Sequence, residues 1–383
     1  MRHLAAALDE PGATLGDLLG GNREFVRAPD PSPWLADVRA RRCAGADDTG
    51  VPLSVLTYNV GLLSRRLGPR LYAVPHTAQR GRRLPEAVVA TDADVIMLQE
   101  VWEDADVARF AAAARAAGYR FFAGGRRHRA HGLLLLVHRR CIAGGRSQRF
   151  TEHCYAAQRR GEQLPGLGIS RGFLAWSFGL AGTSRRITIV DTHTTAFPPF
   201  ARVRAAQALE LARFCNAQPD DELVVVAGDL NCAPYYPWDR YGVRAQRPVD
   251  GWWRNAVAYP LLVHAAGLED AVVRAGRTDD CAPLRSLRPV DEGSLRAPFG
   301  DGGDPDPHRT TFTATDGNSL YHRQYAGTEY PARIDHVLVR DGRDAVAVTD
   351  ARLRFCETHD FGPAGRFELS DHFGVAVDLQ IGA

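Results

Sequence analysis

An α/β protein with two β-sheets packed face to face and helices outside them is the fold class the sequence predicts. Two observations carry that expectation. From Val51 onward, compact apolar runs of strand length alternate with longer amphipathic stretches. After the first half of the chain the strand-like runs heavily outnumber the long helices, which fits packed sheets better than a doubly wound parallel sheet. At 383 residues the chain exceeds the usual single domain, but layered α/β enzymes reach this length around one core, so residues 51–383 are expected to form one large domain.

The elements are expected in this order. Residues 1–50, rich in Ala, Gly, Pro and Asp, read as an N-terminal extension with one helix around Pro33 to Arg42. Then come a strand at "LSVLTYNV", a helix at "RLPEAVVATD", a strand at "ADVIMLQEV", a helix at "DVARFAAAARAAG" and a strand at "GLLLLVHRR". Further strands follow at "GFLAWSFGL", "RRITIVDTHT", "LVVVAGDLN", "RIDHVLVR" and "HFGVAVDL". Between them, "FARVRAAQALELARFCNA" places Val203, Ala206, Leu209 and Leu211 to Phe214 at roughly helical spacing. The stretch from Tyr235 to Tyr259 has aromatics, Pro and Gly but little periodicity, and reads as a long loop or lid inserted in the domain.

Composition excludes several classes. An apolar fraction of 45% with 24% charged residues is that of an ordinary soluble protein, and no run approaches the ~18 apolar residues that span a bilayer. Asp9 and Glu10 interrupt the only apolar stretch at the amino terminus, so export by a signal peptide is not expected. The seven cysteines are scattered with no C-x-x-C pair, which suits reduced thiols and a cytoplasmic location. There is no lysine, and the net charge of +2 lacks the bulk signature of a protein that lives on DNA. The arginine clusters "GGRRHRAHG" and "VRARRC" read as solvated faces rather than a phosphate track.

"VVVAGDLNCAP" poses the functional question. Four apolar residues before Gly228 read as a strand covered on both faces, which holds Asp229 and Asn231 rigidly where they emerge. They either serve chemistry or merely cap their own turn. Similar polar groups stand at other strand ends: Asn59 in "TYNV", Glu100 in "MLQEVW", His193 in "DTHTTA", and Asp371 with His372 in "LSDHFG". Asp335 in "RIDHV" lies inside an apolar strand, where a carboxylate needs a partner, and a histidine is expected to be that partner. An Asp bonded to one ring nitrogen fixes the tautomer and raises the basicity of a general base. Glu100 is a hard oxygen ligand suited to Mg²⁺.

Taken in order, "TYNVG", "ADVIMLQEVW", "DTHTTA", "VAGDLNCAP", "RIDHVLV" and "LSDHFGVAV" resemble the endonuclease/exonuclease/phosphatase superfamily of Mg²⁺-dependent phosphoesterases. The resemblance implies a four-layered α/β sandwich with the site at one end of two mixed sheets, and Mg²⁺ as cofactor with Mn²⁺ as the alternative. It implies that Glu100 is the principal metal ligand, that Asn59 lies near the metal or the phosphate, and that Asp371 is a second metal or structural ligand. His372 would activate water with Asp335 orienting it. Asp229 would position the nucleophile or leaving oxygen, while Asn231 and His193 would donate to phosphate oxygens.

Within that superfamily, "QEVW" departs from the form usual in abasic-site endonucleases. "ISRGFLAWSF", with Arg171 in a substrate-binding position where Lys is usual, "AAGLEDAVV" and "EYPARIDHVLVR" are similar to the neutral sphingomyelinase and phospholipase C-like branch. Thr194 and Thr195 after His193 depart from that branch. A phosphodiester with a lipid head group is therefore the preferred substrate over nucleic acid, with a DNase-type nuclease and a phosphatase of a small soluble phosphoester as alternatives. Trp252 and Trp253, in the aromatic stretch, are candidates for substrate binding or peripheral membrane contact.

Overall fold

The computed structural model describes residues 50–67, 70–124, 131–145, 147–159, 168–196, 200–233, 258–275, 313–314, 317–325 and 333–382. Residues 1–49, residues 234–257 with Trp252 and Trp253, and both arginine clusters fall outside these residues, except for the ends of "GGRRHRAHG".

The strands are β1 (Val51–Asn59), β2 (Ser64–Leu67), β3 (Arg70–Ala73), β4 (Val95–Gln99), β5 (Tyr119–Phe122), β6 (Leu134–His138), β7 (Arg149–Cys154) and β8 (Gly172–Gly179). They continue with β9 (Arg186–His193), β10 (Leu223–Asp229), β11 (Glu269–Asp270), β12 (Asp335–Arg340), β13 (Val346–Arg354), β14 (His359–Asp360), β15 (Arg366–Phe367) and β16 (Gly374–Ile381). The helices are α1 (Thr77–Val89), α2 (Asp104–Ala116), α3 (Ala201–Asn216), α4 (Ala258–Ala266), α5 (Ala271–Arg274) and α6 (Ser319–Tyr325).

Two six-stranded sheets form, in the orders β13-β16-β1-β4-β6-β5 and β11-β12-β10-β9-β8-β7. Both are mixed, because β1 runs parallel to β4 and β9 parallel to β10 while the other pairs are antiparallel. A core of Val55, Met97, Leu135, Trp176, Ile189, Val225, Val337 and Val377 fills the space between the sheets. Outside the first sheet, Leu84 and Val88 of α1 and Phe110 of α2 meet Leu56, Ile96 and Leu136. Outside the second, Leu211 and Ala212 of α3 and Leu262 of α4 meet Val190, Val224 and Val226. The result is the expected four-layered α/β sandwich.

Strand β10 shows why its sequence is apolar throughout. Val225 and Ala227 face the inter-sheet core while Val224 and Val226 face α3 and α4, so the period-two alternation finds an apolar layer on both sides. Each such valine contributes roughly 1.5–3 kcal/mol relative to an exposed one. That rigidity carries directly to Asp229, its last residue.

The helices differ from expectation in detail. Helix α1 starts at Thr77, six residues before the expected start at Arg83, and keeps Pro85 in its interior on the buried face. Helix α3 turns Arg204, Ala205, Gln207 and Ala208 toward the sheet and leaves Val203 and Ala206 half-buried. Polar contacts explain that rotation: Arg204 donates to the Thr195 carbonyl, and Gln207 bonds both the backbone N–H and the hydroxyl of Thr195. The helix is thereby fastened to the chain just after His193.

Candidate active site

Register places the acidic and imidazole groups side by side. Across the second sheet, His193 of β9 is the partner of Asp229 of β10, and Asp229 is the partner of Asp335 of β12. Cross-strand partners on one face stand about 4.5–5.5 Å apart at Cβ, so these three side chains meet by construction. Asp335 was expected inside its strand. It is the first residue of β12, and because β12 is antiparallel, its start lies at the same edge as the ends of β9 and β10.

The Asp229 carboxylate resolves the question left open by its sequence. Its Oδ1 accepts from the Asn231 backbone N–H at 2.8 Å, which is the capping turn. Its Oδ2 accepts from Asn59 Nδ2 at 3.0 Å and lies 3.2 Å from His193 Nε2, which is a contact set facing the other residues of the site. One oxygen shapes the turn and the other serves the cluster. Gly228 makes the approach possible: a Cβ there would sit 1.9 Å from the Thr192 carbonyl oxygen, and its φ of +141° suits glycine.

The first sheet contributes from the opposite side. Asn59 and Gln99 are cross-strand partners at the ends of β1 and β4, and Glu100 follows in a left-handed conformation with φ of +63°. Asn59 Nδ2 reaches Glu100 Oε1 at 3.4 Å as well as Asp229, so this one amide ties the two sheets together. Beneath it, Gln99 donates to Asp191 at 2.6 Å, a second bond between the sheets. Burial pushes the Asp191 carboxyl well up, and the Gln99 hydrogen bond only partly offsets this.

The segment before β16 completes the cluster. Ser370 Oγ donates to the Asn59 carbonyl at 2.6 Å, and the His372 backbone N–H bonds Ser370 Oγ. His372 Nδ1 lies 2.8 Å from Asp335 Oδ2, the partnership expected for an orienting carboxylate. Thr313 fixes Asp335 in turn, its hydroxyl accepting from the backbone N–H groups of Ile334 and Asp335 at 3.2 Å each. The Asp371 carboxylate packs against Gly61, where a Cβ would stand 2.5 Å from Asp371 Oδ1.

Electrostatics follow from this packing. Burial opposes a charged imidazole at His372, but the carboxylates of Asp335, Asp229 and Asp371 outweigh it and hold its pKa well above the ordinary 6.5. Burial opposes ionisation of Asp229 too, yet His193 and His372 keep its carboxyl well below the usual range. Burial pushes the Asp335 carboxyl up against the pull of His372. With Nδ1 engaged by Asp335, Nε2 of His372 is the atom through which the ring can exchange a proton.

Arg171 lies beside His193, with NH1 at 2.8 Å from Nδ1 and 2.7 Å from Nε2. An arginine only donates, so a ring nitrogen of His193 accepts from Arg171, and the Asp229 carboxylate stands 3.2 Å from Nε2. Arg171 was expected to contact substrate; in the fold its guanidinium lies against the His193 ring. Asn231 Nδ2 bonds the Thr194 carbonyl at 3.1 Å, with its backbone at a φ of +46°.

Asn59, Glu100, His193, Asp229, Asn231, Asp335, Asp371 and His372 are thus brought together at one end of the sandwich. The donor set suits a divalent cation in two overlapping places. Half-buried Glu100 has hard oxygens beside Asn59. Asp229, Asp335 and His372 each offer an atom within 4.8 Å of the others, and Asp335 Oδ1 is buried without a hydrogen-bond partner. Ser370, Thr313, Gln99 and Asp191 were not anticipated. Ser370, Gln99 and Asp191 stood inside the quoted strand-end motifs, whereas Thr313 carried no such local signal.

The model of the endonuclease/exonuclease/phosphatase family matches residues 56–372. No curated protein matches the sequence significantly. Among solved structures, D. rerio TDP2 complexed with single strand DNA product is 18% identical, covers 86% of this chain and 99% of its own, and has a TM-score of 0.54. An endonuclease/exonuclease/phosphatase family protein from Bacteroides thetaiotaomicron is 15% identical over 88% of this chain and 100% of its own, at 0.51. SmcL is 14% identical over 86% and 99%, also at 0.51. At these identities the likeness is one of fold.

Proposed function

The chain belongs to the endonuclease/exonuclease/phosphatase family, whose members hydrolyse phosphoester bonds, and on that premise we propose that it is a Mg²⁺-dependent phosphodiesterase of the sphingomyelinase/phospholipase C-like kind. The observation that carries the hydrolytic reading is the Asp335–His372 pair at 2.8 Å, set beside Asp229 and His193. Its lipid preference rests on "ISRGFLAWSF", "AAGLEDAVV" and "EYPARIDHVLVR". The described cysteines Cys141, Cys154, Cys215, Cys232 and Cys356 are free thiols, which supports a cytoplasmic setting.

In this reading His372, acting in its neutral form, takes the proton of the attacking water at Nε2, while Asp335 holds the ring and stabilises the imidazolium that forms. Asp229, fixed by Asn59, His193 and the Asn231 N–H, orients the water or the departing oxygen. The second amide hydrogen of Asn231 would donate to a phosphate oxygen, and His193 would do so by exchanging its Asp229 contact for the substrate. Glu100, Asn59 and Asp371 would hold the metal, with Mn²⁺ as the alternative to Mg²⁺. A bound divalent ion would neutralise charge on a non-bridging oxygen.

Phosphorus NMR of the protein with Mg²⁺, sphingomyelin-containing vesicles and a pool of single- and double-stranded DNA tests the substrate. A water-soluble head-group phosphomonoester is the expected product. New nucleotide termini with intact lipid would replace this reading with the nuclease one, for which the DNA product in the D. rerio TDP2 structure is the specific argument. Silence on both would direct the search to small soluble phosphoesters.

Glu100→Gln is expected to raise the Mg²⁺ concentration for half-maximal activity by at least ~10-fold, and an unchanged requirement would remove Glu100 from the ligand set. Trp252→Ala with Trp253→Ala is expected to impair hydrolysis of vesicles more than that of a short soluble diester. Equal losses on both substrates would assign these residues to packing.

A further inference from the structure

Arg80, in the first turn of α1, is fully buried, yet its hydrogen-bond partners are backbone carbonyls rather than a carboxylate. Nε donates to Pro75 at 2.8 Å, NH1 to Val60 at 2.9 Å and Leu369 at 3.0 Å, and NH2 to Gly61 at 2.6 Å and Val74 at 3.4 Å. All five N–H groups of the guanidinium are therefore used.

The carbonyls belong to three separate segments. Val60 and Gly61 follow Asn59; Val74 and Pro75 lead into α1; Leu369 immediately precedes Ser370, Asp371 and His372. Gly61 is the sharpest link. Its carbonyl is held by Arg80, its N–H donates to Asn59 Oδ1 at 3.0 Å, and its Cα faces the Asp371 carboxylate. Leu62, the next residue, donates to the Glu100 carbonyl at 3.3 Å. One side chain thus fastens together the backbone that carries Asn59, Glu100 and Asp371.

Burying an unpaired cation is costly unless nearby charge compensates it. Asp371, Glu100 and Asp106 all attract this guanidinium, Asp371 most strongly of the three. Glu100 and Asp371 are also the two carboxylates assigned to the metal.

We propose that Arg80 is the positioning residue of the metal-binding end of the site. It fixes Asn59 and Glu100 relative to Asp371 by holding the backbone segments that carry them. This rests on reading Glu100 and Asp371 as metal ligands.

The sign of the effect separates this role from simple electrostatics. A cation near a cation site repels the incoming ion, so removing its charge would tighten metal binding if charge alone mattered. A positioning role predicts weakening instead. Mn²⁺ binding to the purified protein, followed by electron paramagnetic resonance in the absence of substrate, reads the difference.

Arg80→Lys keeps the charge but cannot reach three segments with a planar fork. It is expected to raise the Mn²⁺ dissociation constant ~10–100-fold, the range for groups that orient ligands. Arg80→Gln should weaken binding as well. Arg185→Lys, at the opposite end of the sandwich where Arg185 pairs with Asp341, serves as the control and should leave Mn²⁺ affinity unchanged. Wild-type affinity in Arg80→Lys, tighter binding in Arg80→Gln, or an equal loss in Arg185→Lys would each overturn the proposal. A wild-type protein that binds no Mn²⁺ would remove the metal reading and this proposal together, whereas loss of the Arg80 effect alone leaves the phosphodiesterase standing.

Discussion

His372→Ala is expected to lower kcat by at least ~10³-fold while the protein remains folded. General base catalysis by a positioned side chain supplies 10²–10⁴-fold, and His372 is bonded to the carboxylate of Asp335, whose backbone is held by the Thr313 hydroxyl and the sheet. Asp335→Asn should lose less, since an amide can still contact Nδ1 without stabilising the imidazolium. The double variant should be no slower than His372→Ala alone, because residues that act as a unit are not additive. Full additivity in steady-state kinetics would show that the pair does not work together.

The same substitution carries a signature in stability. The His372 pKa is raised in the folded protein above its ordinary 6.5, so protonation stabilises the native state. That contribution is fully present below the unfolded value and fades as pH rises through the folded one. In metal-free protein, the stability gap between wild type and His372→Ala should therefore be largest below about pH 6 and narrow on the alkaline side. A gap that widens with pH in denaturant titrations would contradict the environment described for this ring.

Much of this site was legible in the sequence because strand ends are. An apolar run that stops at a polar residue reports both a rigid strand and the side chain it delivers, which is how Asn59, Glu100, His193 and Asp229 were recognised. The pairing of Asp335 with His372 was legible from cost, since a carboxylate next to a buried strand needs a partner. What was not legible is whatever depends on register or on long-range backbone bonds. Thr313 reads as one threonine in "TTFTAT", and only the fold brings its hydroxyl under Asp335. Arg80 sits in "AQRGRRLP", where a solvated face is the natural reading, and its carbonyl partners are up to 289 positions away. Gln99 and Asp191 look like a polar strand end and a lone acid until two sheets close over them. The missed start of α1 has a local cause, because Pro85 suggests a first turn but lies inside the helix.

Arg333→Met is expected to cost about 3–5 kcal/mol of stability, the range for leaving one member of a buried ion pair alone. Arg333 NH1 donates to Asp270 Oδ2 at 2.7 Å, and both side chains are essentially inaccessible. Tyr259 also donates to Oδ2 at 2.7 Å, and the N–H groups of Val272 and Val273 bond Oδ1. His336 joins the same network: Nε2 donates to the Cys232 carbonyl at 2.9 Å, so Nδ1 must accept from Arg333 at 3.1 Å. The 3.4 Å approach of Nδ1 to Asp270 Oδ2 is then a contact between two acceptors with the guanidinium between them, not a hydrogen bond.

The loss should depend on acid in a definite direction. Burial opposes ionisation of Asp270, but Arg333 is the main group that holds its carboxyl well below the ordinary 3.8. Stability from that depressed pKa is present above the unfolded value and disappears as pH falls through the folded one. The gap between wild type and Arg333→Met should therefore be full at pH 7 and shrink below about pH 4. The substitution should also slow turnover, because His336 adjoins Asp335 and Cys232 adjoins Asn231, so the network stands directly behind two residues of the site. Urea unfolding at pH 7 and pH 3.5 decides the matter. A difference under about 1 kcal/mol, or one that does not change with pH, would show that Asp270 is sustained by Tyr259 and the backbone alone.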